Sequence, residues 1–177
     1  QYAIQVAKDN GCLISFDPNL RLSLWKTPEE ARKRILYGMK QCDIMKISEE
    51  EVAFVSEQES LEKGVSFIRD NSDIKILFVT LGNKGSIAYY KDEKIYCGGI
   101  HQEHVVDTTG AGDTFCGAVL SRILELGTDA LTEKDIREML LFANAAASIV
   151  VTRKGALCSM PELEEIRAAT SLIDKVL

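Results

Sequence analysis

Ile74-Lys75-Ile76-Leu77-Phe78-Val79-Thr80 is the stretch on which the fold turns. It is apolar almost throughout, rich in β-branched residues, and it does not alternate. A strand with one wetted face alternates, whereas one covered on both faces reads as a continuous apolar run. The spacing therefore predicts a buried strand of a parallel sheet over 74–80. Towards the N-terminus, residues 1–9 read as the end of a helix closed by Asn10-Gly11, and Cys12–Phe16 as a short strand stopped by Asp17-Pro18-Asn19. Thr27-Pro28-Glu29-Glu30 is a helix start, with Thr27 as N-cap, Pro28 at the first helical position and Glu30 closing a capping box. That helix carries Ala31, Ile35, Leu36 and Met39 on one face. Ile44–Ile47 is a second short strand, Ser48-Glu49-Glu50-Glu51 opens a further helix, and Leu61–Arg69 is helical again.

Beyond Thr80 the pattern changes. Gly82-Asn83-Lys84-Gly85 is a turn, followed by a small antiparallel stretch from Ser86–Tyr90 and Glu93–Cys97. Val105-Val106 leads into a glycine turn, then a helix over Thr114–Leu126 with Phe115, Val119, Ile123 and Leu126 on one face. A second long helix begins after Thr132 as N-cap and runs through Phe142 and the small residues Ala143–Ala147. Thr152–Met160 reads as a loop and Pro161–Ser171 as a closing helix. Strands alternating with amphipathic helices predict an α/β chain with a parallel sheet covered by helices.

Composition narrows the class. At 177 residues the chain has room for one domain with a proper core. Twenty-seven acidic against 21 basic residues give a net charge of −6, which disfavours nucleic acid and anionic membrane as partners. The five cysteines (Cys12, Cys42, Cys97, Cys116, Cys158) are odd in number and never form a C-x-x-C pair. Buried thiols in a reducing cytoplasm account for them better than disulfides or a zinc site. No apolar run is long enough to span a bilayer. The start Gln1-Tyr2-Ala3-Ile4 has neither a signal-peptide pattern nor an initiator Met, the latter being what a fragment would show. His101-x-x-His104 offers two metal ligands without a third. Trp25 reads as packing.

The chemistry is concentrated in Asp107-Thr108-Thr109-Gly110-Ala111-Gly112-Asp113-Thr114. Gly110, Ala111 and Gly112 make a tight turn with little side-chain bulk, so their N–H groups can face open space. A helix follows at once and adds unpaired N–H groups and the positive end of its dipole. That is an anion site suited to phosphate. Asp113 at its edge would repel the anion unless it serves a purpose, such as taking a proton from an attacking hydroxyl. The plainer alternative is that Asp113 only opens a helix and the glycines only turn the chain.

Asp107–Thr114 with Phe115-Cys116-Gly117-Ala118 resembles the C-terminal signature of the PfkB (ribokinase-like) family of carbohydrate kinases. Further segments resemble the family in order and spacing. They are Phe16-Asp17-Pro18-Asn19-Leu20-Arg21 with Leu24-Trp25, then Lys46-Ile47-Ser48-Glu49-Glu50-Glu51, then Thr80-Leu81-Gly82-Asn83-Lys84-Gly85. Asn144-Ala145-Ala146-Ala147 and Val151-Thr152-Arg153-Lys154-Gly155-Ala156 complete the match, which runs from about residue 10 to the end. The D-P-N-L-R and L-W pieces look most like fructokinases.

The resemblance implies a three-layer α/β/α fold with a mostly parallel sheet and helices on both faces. Because family members run to about twice this length, residues 1–177 correspond to the C-terminal, nucleotide-side portion. The N-terminal part, with most sugar contacts and a lid that builds the dimer of the full-length form, is then absent. The implied reaction is ATP-dependent phosphorylation of a sugar hydroxymethyl group, fructose to fructose 6-phosphate. Asp113 is the implied general base, and the N–H groups of Gly110, Ala111 and Gly112 the anion hole. Glu51 matches the acidic end of an N-x-x-E motif tied to Mg²⁺ and phosphate, although Ser48 replaces the Asn and Ser48-x-x-Glu51 is equally a capping box. Thr80, Gly82, Gly85 and Asn144 fall on the nucleotide side, Asn144 being alternatively a satisfied polar residue between helices. Asp107, Thr109 and Ser159, with the carbonyls of Val150, Arg153 and Gly155, resemble a monovalent-cation site for K⁺; a basic surface turn is the alternative. Arg21 could hold substrate or phosphate as a charged fork, or simply pair with surface acids. Rival readings are a kinase for ribose, 2-keto-3-deoxygluconate or a riboside, and a catalytically silent regulatory protein. Another kind of nucleotide-binding domain is disfavoured, since neither a P-loop lysine motif nor G-x-G-x-x-G occurs.

Overall fold

The computed structural model describes residues 1–173 and divides into two compact units. The first holds Gln1–Thr80 with Tyr89–Asp92, and the second Leu81–Ala88 with the chain from Glu93 onward. Among the described residues there are seven α-helices and a mixed set of five strands. None of those helices is long and apolar enough to cross a membrane.

In the first unit, helix α1 (Tyr2–Asp9) leads to strand β1 (Ser15–Phe16), helix α2 (Pro28–Met39), strand β2 (Ile44–Ser48), helices α3 (Glu49–Ser56) and α4 (Leu61–Asp70), and strand β3 (Ile76–Thr80). The strands lie in the order β1-β2-β3 and run parallel, with Phe16 opposite Met45 and Ser48 opposite Thr80. The first four residues of both β2 and β3 are buried, and Ser48 and Thr80 emerge together at the C-terminal edge. That edge is where open parallel sheets present ligand sites. Ala31, Ile35 and Met39 of α2, Val52 and Val55 of α3, and Val65 and Ile68 of α4 complete the core.

Two strands are shorter than the sequence predicts. β1 loses Cys12–Leu13 because Ile14 is already tied to Asp43, whose carboxylate accepts the Ile14 N–H at 2.9 Å and whose own N–H goes to the Ile14 carbonyl at 2.8 Å. β3 starts at Ile76, since the Lys75 N–H is taken by the Asp43 carbonyl at 2.7 Å. The cap of α2 also differs. The Thr27 hydroxyl accepts the Glu30 N–H at 3.1 Å as expected. The carboxylate at that hydroxyl is Glu29, held below the ordinary glutamate range by its own backbone N–H and by Thr27.

The second unit contains the Gly85–Ala88 part of strand β4 (Gly85–Tyr90), strand β5 (Glu93–Gly98), and helices α5 (Ala111–Leu126), α6 (Glu133–Val150) and α7 (Leu163–Ile173). Helix α6 is its axis, touching α5, β5 and α7. It begins with a full capping box in which Thr132 and Asp135 satisfy each other's backbone N–H groups. Ile136, Met139, Leu140, Ala143 and Ala146 of α6 are buried, as are Phe115, Ala118, Val119 and Ile123 of α5. Leu126 departs from its expected place on the inner face and is exposed, because the helix ends there at Gly127. The loop over 152–160 includes a single 3-10 turn, Leu157–Ser159.

Candidate active site

Helix α5 begins three residues earlier than the sequence suggests, so Ala111, Gly112 and Asp113 form its first turn. Gly110 is the N-cap, at φ +83, a conformation costly to any residue with a Cβ. A Cβ there would also come within 3.3 Å of the Ala156 Cα. No side chain caps this helix. The Thr114 N–H closes the first turn on the Gly110 carbonyl at 2.8 Å, and the Ala111 N–H leans on the Thr108 carbonyl at 3.3 Å. Among the described residues the N–H groups of Gly110, Gly112 and Asp113 have no protein acceptor. The buried Thr114 hydroxyl is likewise without a partner. Unspent donors at an uncapped helix start fit an anion. The carboxylate of Asp113 is exposed and makes no ion pair among the described residues.

The approach to this turn is fixed by Asp107. One of its carboxylate oxygens accepts the Thr109 N–H at 2.9 Å and the other the Gly155 N–H at 3.2 Å. Hydrogen bonds from Thr109 first, then from Gly155, hold its carboxyl below the ordinary aspartate range. The N–H groups of Val106 and Asp107 both reach the Val151 carbonyl, at 2.8 and 3.3 Å. The Val150 carbonyl accepts the Arg153 N–H at 3.0 Å. The fully buried Ser159 donates its hydroxyl to the carbonyls of Gly155 and Ala156. Asp107, Thr109, Gly155 and Ser159 are thus linked directly, and Val150 to Arg153 beside them. The Arg153 side chain turns to an ion pair with Glu165. The carbonyls of Val150 and Gly155 each hold one of these donors and keep a second lone pair, and one carboxylate among neutral oxygens fits a weakly charged cation. Among the described residues no three His, Cys, Asp or Glu side chains group to hold a metal ion, and His101 and His104 belong to no such set.

The turn after Thr80 has its own demands. Gly85, at φ +105, could not carry a Cβ, which would lie 2.2 Å from the Cys97 carbonyl oxygen. Gly82 sits at φ +60 in the 3-10 turn between β3 and β4. Asn144 is buried and its amide is spent within the protein. Its Oδ1 accepts the Ser86 hydroxyl at 2.9 Å, and its Nδ2 donates to the carbonyls of Cys97 at 3.3 Å and Gly98 at 3.2 Å. Of its two sequence readings, the satisfied polar tie is the one the hydrogen bonds describe.

In the first unit Glu51 is 8% exposed, and each of its carboxylate oxygens holds a backbone donor. Its Oε2 accepts the Ser48 N–H at 2.9 Å while the Ser48 hydroxyl accepts the Glu51 N–H, completing the capping box of α3. Its Oε1 accepts the Leu20 N–H at 2.6 Å. A divalent ion would therefore meet a carboxylate already holding two donors, which fits Mg²⁺ brought in on phosphate and water oxygens rather than a protein cage. Arg21 is exposed and donates to the Leu20 carbonyl at 3.0 Å. Two residues the sequence reading gave no role stand beside this cluster, Asp17 and Lys46, paired at 3.1 Å. Burial raises the carboxyl of Asp17, and the Lys46 ammonium counteracts part of that. The available signal was a lysine inside an otherwise apolar strand.

A parallel sheet with a polar C-terminal edge, and an uncapped, glycine-led helix start whose donors suit an anion, define the class as an α/β chain. Comparison with known proteins makes that specific. The family described as pfkB family carbohydrate kinase matches residues 1–163. Fructokinase-1 of Oryza sativa subsp. japonica is 42% identical over 166 residues, covering 93% of this chain and 50% of its own length. A double-mutant fructokinase of Vibrio cholerae O395, solved with fructose, ADP and potassium ion bound, superposes with TM-score 0.87 at 32% identity, over 96% of this chain and 54% of its own. Fructokinase of Xylella fastidiosa with bound ATP gives TM-score 0.87 at 25% identity, over 98% and 56%. The chain belongs to the pfkB family of carbohydrate kinases. It spans about half the length of the curated relatives it matches.

Proposed function

We propose that residues 1–177 are the nucleotide-side portion of a sugar-kinase domain that transfers the terminal phosphoryl group of ATP to a sugar hydroxymethyl group, with fructose as the acceptor. The observation that carries this reading is the start of α5, where unspent N–H donors of Gly110 and Gly112 adjoin the unpaired carboxylate of Asp113. Asp113 takes the proton of the attacking hydroxyl, a role typically contributing a factor of about 10²–10⁴. The amides of Gly110 and Gly112, with Ala111 if it releases Thr108, face the charge of the group in transfer. Thr80, Gly82 and Gly85 shape the nucleotide side, and Asn144 serves it by holding the end of β5 through its amide rather than by touching the nucleotide. Mg²⁺, carried on the phosphates, supplies charge neutralisation, with Glu51 acting indirectly through the α3 start. K⁺ is the ion suited to the oxygens of Asp107, Thr109, Val150, Arg153, Gly155 and Ser159. Arg21 is the acceptor-side contact. The whole polypeptide is placed in the cytoplasm as a homodimer, with sugar and ATP as its small-molecule partners.

A coupled assay for ADP release tests this, run across a panel of sugars on the product of the whole gene and on residues 1–177 alone. Fructose-dependent turnover by the whole product, lost by about 10²-fold or more in D113N, is expected. The isolated chain should turn over little or not at all. An unaffected D113N removes Asp113 from the mechanism. Preference for ribose, 2-keto-3-deoxygluconate or a riboside would reassign the acceptor, and tight ATP binding with no turnover on any sugar would favour the silent regulatory alternative.

A further inference from the structure

Lys46 is the anomaly of the first unit. It lies in the middle of β2, a strand covered on both faces, and is only 7% exposed. Burying an ammonium is unfavourable unless it is paired, and an apolar residue of similar volume would often serve stability as well. A charge kept in such a place is better explained by the conformation it selects. The parallel register sets Phe16 opposite Met45, so Asp17, one residue past β1, falls opposite Lys46, and both its oxygens meet the ammonium, at 3.1 and 3.4 Å. One of those oxygens also accepts the Asn19 N–H at 3.1 Å. Asn19 then takes φ +42, a left-handed conformation uncommon outside glycine. The next residue, Leu20, gives its N–H to Glu51. The segment 17–20 is therefore gripped at both ends by carboxylates, one anchored on Lys46 and the other on the cap of α3. It ends in the exposed Arg21 at the C-terminal edge of the sheet.

We propose that Lys46 is a positioning residue: acting through Asp17, it presets the Asp17–Arg21 segment so that one arrangement of Arg21 meets the acceptor sugar. The identity of the ligand rests on the phosphotransfer reading above; the preset segment does not. Hydrogen exchange resolved to single amides on residues 1–177 tests the segment. Steady-state kinetics of the whole gene product tests its purpose. In K46M the amides of Asn19 and Leu20 should exchange about tenfold faster or more, with those of β2 and β3 nearly unchanged. K46R should stay near the parent. The double variant D17N/K46M leaves no orphaned charge, so it carries the same expectation should K46M fail to fold. In the kinase assay K46M should raise the KM for sugar about tenfold with kcat changed far less. Unchanged exchange at Asn19 and Leu20, or faster exchange spread evenly through β2 and β3, would overturn the positioning role. Faster local exchange with an unmoved sugar KM would overturn its link to the acceptor. If the parent phosphorylates no sugar at all, the kinase reading falls, and the exchange arm still decides whether Lys46 sets the segment.

Discussion

Replacing Asn144 by Leu isolates what one saturated amide contributes. The substitution keeps volume and removes three hydrogen bonds at once. It strands the Ser86 hydroxyl, which is 0% exposed, and withdraws the donor from two β5 carbonyls. A buried group left unsatisfied costs about 1–3 kcal/mol, and a typical bond contributes about 1 kcal/mol net. Taking about 2 kcal/mol for Ser86 and about 0.5 kcal/mol for each long bond to Cys97 and Gly98 gives about 3 kcal/mol. With a urea slope of about 2 kcal/mol/M, the midpoint should fall by about 1.5 M. Urea melts followed by circular dichroism measure this, since α6 and α5 supply much of the helical signal. S86A on top of N144L should return about 1 kcal/mol, because the stranded hydroxyl is gone, and such non-additivity marks residues in contact. A midpoint shift below about 0.3 M, or strict additivity of the two changes, would refute the reasoning.

Two further outcomes follow from the ionisable groups. Burial pushes the Cys42 thiol up to about 12, with the neighbouring Asp43 adding to the effect, whereas Cys12 and Cys158 are exposed. Iodoacetamide at about pH 8 should label Cys12 and Cys158 while sparing Cys42 until urea is added; mass spectrometry that finds Cys42 modified as fast as the exposed pair would contradict this. Asp107 has its folded pKa depressed, so the stabilisation it gives is present above the unfolded value near 3.9 and is lost as pH falls through the lower folded value. The amide chemical shifts of Thr109 and Gly155 should titrate together with a midpoint below about 3.9, and D107N should abolish that titration. Independent midpoints for the two amides would separate the loops.

Local signals were legible in the sequence and long-range pairings were not. Ser48-x-x-Glu51 reads as a capping box in the text and is one in space, because both partners lie in one turn. The strand over 74–80 was legible from its apolar run, but its first two residues depend on Asp43, thirty-odd positions away, and no local pattern reports that. The start of α5 was misplaced by three residues because glycines suggest a turn, while an N-cap glycine followed by a helix is locally indistinguishable until the Thr114 bond to Gly110 is seen. The Lys46–Asp17 pair depends on strand register, and the bond from Gly155 to Asp107 spans 48 positions. Both require the fold to be formed first.

One carboxylate bridges Thr109 and Gly155, and this has a consequence for regulation. An ion that draws on an Asp107 oxygen alters its hold on the peptide leading to the uncapped helix, and an anion settling at that helix acts back through the same oxygens. Linkage then makes the influence symmetric. Should the potassium ion and nucleotide proposed above both bind, the factor by which the first changes affinity for the second must equal the reverse factor, so one coupling constant can be measured from either direction.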